Sequence, residues 1–154
     1  MANETTIKIA LWKAAFHFPL VLQADKPFIM GARTPSKIAA ISNSGDIQTG
    51  MIIEFIAKGE VSNPYLFNLD SREQVKINKT LQAGEQIRIN TNYGEKSVFG
   101  KAGNAEEENY FRYLDYNSDF LQLQPGANNF RWGADANENN LEVNIIFSPQ
   151  FLGV

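Results

Sequence analysis

Catalysis by a side chain needs a nucleophile, a base or a metal ligand at a defined separation, and this chain offers few such groups. His17 is its single histidine, and it has no cysteine. Thiolate nucleophiles, thiolate metal sites and disulfides are therefore excluded together. A catalytic triad or a histidine-based metal site would have to use His17. No Gly-x-Ser-x-Gly or His-Glu-x-x-His segment occurs in the sequence. In an extended segment Phe16 and Phe18 share the face opposite His17, which turns the imidazole outward or toward a partner. The expected reading is a plain surface or interface histidine, with Trp12, Phe16, His17 and Phe18 as candidate contacts to another domain or protein.

Carboxylates are the other candidates. Asp115, Asp119, Asp135 and Glu138 lie in or near expected loops. Glycoside cleavage needs two carboxyls at a set separation in a cleft, and no cleft signature accompanies these four. Asp135, Asn137 and Asn139 alternate like the start of a calcium loop. The EF-hand spacing then requires Gly at position six and Glu at position twelve, where this chain has Asn140 and Ile146. A polar loop in which Asn and Asp accept left-handed geometry is the simpler reading. Gly100-Lys-Ala-Gly103 is too short to cradle a phosphate and is expected as a strand connection. The chain thus reads as a non-enzyme with no cofactor and no metal.

The elements that would position any site are strands. At 154 residues, 44% of them hydrophobic, the chain is expected to form one domain with a real core. Eleven Phe, five Tyr and two Trp favour β structure. Period-two alternation marks Met51–Lys58, Val75–Asn78, Ile87–Asn90, Leu121–Gln124 and Leu141–Phe147, each with one face on a core. Turn residues separate the runs. Ser44-Gly45-Asp46 precedes one, Gln82–Glu85 reads as a hairpin connection, Asn92-Tyr93-Gly94 breaks the next pair, and Pro125-Gly126 suits a type II turn. Only residues 106–114 invite a helix, of a single turn at most. The pattern predicts an all-β fold, an antiparallel two-sheet β-sandwich of about eight to ten strands. Residues 1–16, an apolar extended lead, are expected as a connector whose partner lies outside the chain, and residues 17–154 as the sandwich.

Charge excludes other classes. A net charge of −3 with scattered Lys and Arg gives no footprint for nucleic acid. The run Glu106-Glu107-Glu108 reads as a solvated loop. The apolar runs fall far below the ~20 residues of a helical membrane span, and the first residues lack the pattern of a signal peptide.

Several segments resemble one family. They are Trp12-Lys-Ala-Ala-Phe-His-Phe-Pro-Leu20, Ser42–Phe55, Val75–Lys96, Tyr113-Leu-Asp-Tyr116, and the stretch from Phe120 to Val154. Together, in order, they resemble the C-terminal part of the distal tail protein of siphophage baseplates. The Val75–Lys96 block and the closing segment carry the likeness most specifically. The resemblance implies a galectin-like jelly roll at the periphery of a hexameric ring, the ring itself being built by an N-terminal domain that this sequence lacks. It implies a structural role in the virion at the tail tip or baseplate, with assembly in the bacterial host cytoplasm. The implied partners are a receptor-binding protein or a tail-associated protein. Galectin-like sandwiches often bind glycans, so a carbohydrate-binding module contacting host cell-wall glycans is the alternative. Trp132 is its candidate stacking residue, but Trp132 shares a strand face with Phe130, which favours packing in the core.

Overall fold

The computed structural model describes residues 37–152 throughout, and the backbone of two strands at 5–10 and 21–22. In chain order the described strands are β1 (Thr5–Ala10), β2 (Val21–Leu22), β3 (Ile38–Asn43), β4 (Ile52–Ala57), β5 (Val61–Asn68), β6 (Gln74–Lys76), β7 (Thr80–Leu81), β8 (Glu85–Asn90), β9 (Ser97–Ala102), β10 (Glu108–Asn109), β11 (Gly126–Ala136) and β12 (Leu141–Phe147). Single turns of 3-10 helix occupy Phe111–Tyr113 and Glu138–Asn140.

The strands form two sheets. The first runs β1-β12-β4-β8-β9-β10, and the second runs β2-β3-β11-β5-β6 with β7 also on β5. All pairs are antiparallel except β2 with β3, which is parallel. The expected all-β two-sheet sandwich is therefore the observed fold. Alternation sets the layers. On β4, Ile53, Phe55 and Ala57 are fully buried while Ile52, Glu54 and Ile56 are half-buried on the other face. Ile87 and Ile89 on β8 and Val143 and Ile145 on β12 join them. Ile41, Leu66, Val75 and Phe130 meet them from the second sheet. Each such side chain, once buried, contributes about 1.5–3 kcal/mol.

Several sequence expectations change in detail. Gln82–Glu85 does form a tight turn, with the Glu85 amide donating to the Gln82 carbonyl at 2.9 Å. Yet β7 pairs in the second sheet and β8 in the first, so the turn is a crossing between sheets and not a hairpin. Turn residues fix a local reversal; they do not choose the strand's partner. The loop after β11 likewise crosses sheets, with Asn137 in the left-handed region at φ 59°. Leu121 and Leu123 are buried as alternation requires, but they make only an isolated bridge, Leu123 with Thr49. Asn92-Tyr93-Gly94 closes the β8–β9 hairpin as expected, and Gly126 has the positive φ of 90°.

Within the segment expected as a connector, Thr5–Ala10 is an edge strand hydrogen-bonded to β12 of the same chain. The free edge of β12 offers a row of backbone donors and acceptors that an extended segment satisfies. Trp12, Phe16, His17 and Phe18 lie outside the described residues.

Candidate interaction surfaces

The residues singled out from sequence are mostly engaged in structure. Trp132 is only 5% exposed beside fully buried Phe130, so the packing reading holds and Trp132 presents no face for a sugar. Asp135 accepts from Asn63 Nδ2 at 2.9 Å and from Lys76 Nζ at 3.2 Å. These bonds hold its carboxyl below the usual carboxylate range. Lys37 Nζ donates to Asn139 Oδ1 at 2.9 Å. Two lysine ammoniums thus occupy the stretch that resembled a calcium loop. Asp115 accepts from Asn78 Nδ2 at 2.7 Å and from the Asn117 amide, which lowers its pKa too. Among the described residues no group of three or more His, Cys, Asp or Glu is placed to hold a metal ion.

Residues 109–119 form a strap across one open side of the sandwich. At its start, just after the edge strand β10, the Tyr110 amide donates to the Val98 carbonyl on β9 of the first sheet. After the Phe111–Tyr113 turn, Asn78 donates to the Tyr113 carbonyl at 2.7 Å and Asp115 to the Lys76 carbonyl at 2.8 Å. Leu114 bridges Ile77. The strap therefore leaves one sheet edge and caps the other, satisfying backbone groups at both.

A polar knot fixes it. Glu85, 3% exposed, accepts from Lys79 Nζ at 2.9 Å, from the Tyr110 hydroxyl at 2.8 Å and from the Gln82 amide at 3.0 Å. Burial pushes the Glu85 carboxyl up, but these three donors and the lysine charge more than offset it, leaving its pKa below the ordinary value. Burial and the bond to Glu85 push Tyr110 up to about 12. Lys79 Nζ also lies 5.5 Å from the centroids of both Tyr110 and Tyr113, whose rings meet edge-on at 5.1 Å. A buried carboxylate with both oxygens engaged by three donors in this way is a structural fastener.

The same side of the molecule exposes aromatic rings. Phe111 is 49% exposed and stacks on Phe120 at 6.3 Å, with Lys96 Nζ 5.5 Å from the Phe120 ring. Tyr116, in the turn of the strap, and Tyr93, at the β8–β9 hairpin tip, are each 97% exposed.

A second surface lies on the outer face of the first sheet. Glu54, Gln86, Arg88, Phe99, Lys101 and Glu107 line an open recess of about 240 Å³. Register builds it: Glu54 stands opposite Arg88, Arg88 opposite Phe99, and Gln86 opposite Lys101. Glu54 Oε2 accepts from Arg88 Nη2 at 2.7 Å and Nε at 3.3 Å, while Oε1 accepts from Asn144 Nδ2 at 3.2 Å. Of these residues the sequence pattern marks only Glu107, as part of a solvated acidic run. The available signal was the outward half of two alternating strands carrying a phenylalanine among charges.

Residues 44–151 match the family described as siphovirus-type tail component, C-terminal domain. Among solved structures the chain is similar to SPP1 Dit, described as a paradigm of the hub adsorption apparatus in phages infecting Gram-positive hosts. The TM-score is 0.66 at 14% identity, over 97% of this chain and 48% of that one. It also aligns with the phage P2 baseplate in its activated conformation with Ca, at a TM-score of 0.49 and 15% identity, over 97% of this chain and 54% of that one. The chain thus spans about half the length of both structures. No curated protein matches it in sequence.

Proposed function

The chain belongs to the siphovirus-type tail component family, through its C-terminal domain, and from that premise we propose that it is a peripheral docking domain of a baseplate hub. It is a structural component of a phage tail or baseplate. The finer reading is that its work is adhesion to neighbouring virion proteins, such as a receptor-binding or tail-associated protein, without enzymatic activity. Assembly takes place in the bacterial host cytoplasm. A hexameric ring would form only through a preceding domain, contacted by Trp12, Phe16, His17 and Phe18.

The family match over most of the chain carries this reading. The use of the polar side chains supports it. Glu85, Asp115 and Asp135 serve internal bonds, while rings that could anchor a partner, Phe111, Tyr116 and Tyr93, stand in solvent. Tyr and Phe are the residues that interfaces favour over the rest of a surface.

Electron microscopy of a complete tail protein carrying this domain, beside the present chain alone, tests the assignment. Six-fold rings are expected from the complete protein and none from the chain by itself. Rings formed by the chain alone, or clearing of purified cell walls by it, would contradict the reading.

A further inference from the structure

We propose that the end of the sandwich carrying Ile47, Phe151 and Leu152 is the seat of the domain that precedes this one in a complete tail component. The inference rests on the family assignment, in which the match is to a C-terminal domain. The three side chains are 39%, 48% and 63% exposed, and they are neighbours. The Asp46 amide donates to the Gln150 carbonyl at 2.7 Å, the Leu152 amide to Asp46 Oδ2 at 3.1 Å, and the Thr49 hydroxyl to the Ser148 carbonyl at 3.4 Å. Residues 46–49 thus run antiparallel to residues 148–152 as a short clip. A side chain at Gly45 would overlap the Gln150 backbone, so glycine lets the clip close. The clip holds Phe151 and Leu152 out in solvent, where a loose tail could fold them away. Apolar groups fixed in this way give up little further entropy when a partner covers them.

The opposite end of the sandwich is different. There the Lys58 amide donates to the Asn140 carbonyl, the Gly84 amide to Ala57 and the Gly103 amide to Gly84. The connections at 58–60, 82–84, 103–107 and 137–140 hold no large apolar residue. Among the described residues, then, the clip end leaves large apolar side chains in water and the opposite end does not. A cluster of that kind marks a contact surface.

The path of the chain selects the occupant. Thr5, the first residue of β1, stands opposite Phe147, the last of β12. Whatever precedes β1 in a longer protein therefore arrives beside the clip. A second copy of this chain is a poorer fit, because a free dimer needs roughly 800 Å² from each partner, more than these side chains supply. A domain tethered through β1 needs far less contact, since the tether keeps its local concentration high.

Hydrogen–deuterium exchange of a complete tail component carrying this domain, compared with the present chain, tests it. Amides of residues 46–48 and 150–152 should exchange roughly tenfold more slowly in the complete protein, while those of residues 103–107 exchange equally in both. Phe151→Asp combined with Leu152→Asp should abolish that difference and leave the melting temperature of the present chain unchanged. Ile47→Asp, on the other arm of the clip, should do the same. Rings formed by the complete protein without protection at the clip would overturn this seat and leave the baseplate reading intact. Protection confined to another surface, or a concentration-dependent dimer of the present chain that these variants dissolve, would overturn it as well.

Discussion

The ring of Tyr110 lies against Gly100, in the space that any side chain at Gly100 would occupy. Gly100 sits on the inner side of β9, and Tyr110 enters from the strap. The missing side chain lets the ring pass beneath the sheet so that its hydroxyl reaches Glu85 at 2.8 Å. One glycine thus admits the residue that fastens the strap to the core.

Gly100→Ala should therefore destabilise the fold, although alanine normally suits a strand better than glycine does. The added methyl overlaps the Tyr110 ring, and overpacking of this kind costs about 1–3 kcal/mol. Urea unfolding measures it. A midpoint at or above that of the parent chain would show that the ring moves aside without cost.

Acid should weaken the same knot. The Glu85 pKa is lowered in the folded chain from its ordinary 4.5, so the charged form is favoured by folding. Its contribution is present above that ordinary value and is lost as pH falls through the folded value. Glu85→Gln should lower stability at neutral pH and flatten part of the acid limb. Part of the limb should remain, because Asp115 and Asp135 are also lowered. Thermal melts of both chains from pH 7 down to pH 3 give the comparison; parallel acid limbs would contradict it.

Alkali should weaken it from the other side. Tyr110 is raised from 10.0 to about 12, so folding favours its protonated form. That contribution is complete below the ordinary value and is lost as pH rises through the folded one. Tyr110→Phe should remove this loss across the pH range from 10.0 to about 12. The readout is tyrosinate absorbance recorded with circular dichroism during titration. An unchanged alkaline transition in the variant would place its cause elsewhere.

The inward halves of these strands were legible because burial follows alternation directly. Ile53, Phe55, Val143 and Ile145 could be read off as core from period two alone, and Trp132 was assigned to packing through its parity with Phe130. Pairing partners were not legible. Gln82–Glu85 has the residues of a hairpin turn, yet it passes from one sheet to the other, because strand choice is settled by long-range packing. The strap was invisible for a related reason. Tyr113, Leu114 and Asp115 have no strand pattern of their own, and they are ordered by backbone bonds to Lys76, Ile77 and Asn78 at and after β6. The recess escaped notice because a single phenylalanine on an outward strand face looks like ordinary surface until its cross-strand neighbours are known. The family likeness, carried by whole blocks, needed none of this.

Asn128 supports the turn at Pro125-Gly126 from inside the sandwich. Its side chain is 2% exposed. It accepts from the Gln124 amide at 2.9 Å and donates to the carbonyls of Gln124 at 2.8 Å and Gly126 at 3.0 Å. Asn128→Ala removes these bonds, and because Gln124 and Gly126 are themselves exposed, water replaces part of them, so the cost should be about 0.5–1.5 kcal/mol. Asn128→Asp should be no rescue, since it supplies the acceptor but not the donors. Denaturant midpoints of the two variants test this, and an aspartate variant as stable as the parent would refute the donor role.

Tyr93 and Tyr116 separate docking from folding. Both are 97% exposed, so replacing either with alanine removes almost no packing and should change stability by less than about 0.5 kcal/mol. If the strap side of the sandwich is the face that meets a neighbouring virion protein, the same changes should weaken that contact by about 1–2 kcal/mol or more, because buried tyrosines dominate interface energetics. Interferometry of the parent and variant chains against purified proteins of the same baseplate compares the two quantities. Loss of binding with an unchanged melting curve would support docking through this side. Full binding by the double alanine variant would move the docking surface to another face of the sandwich.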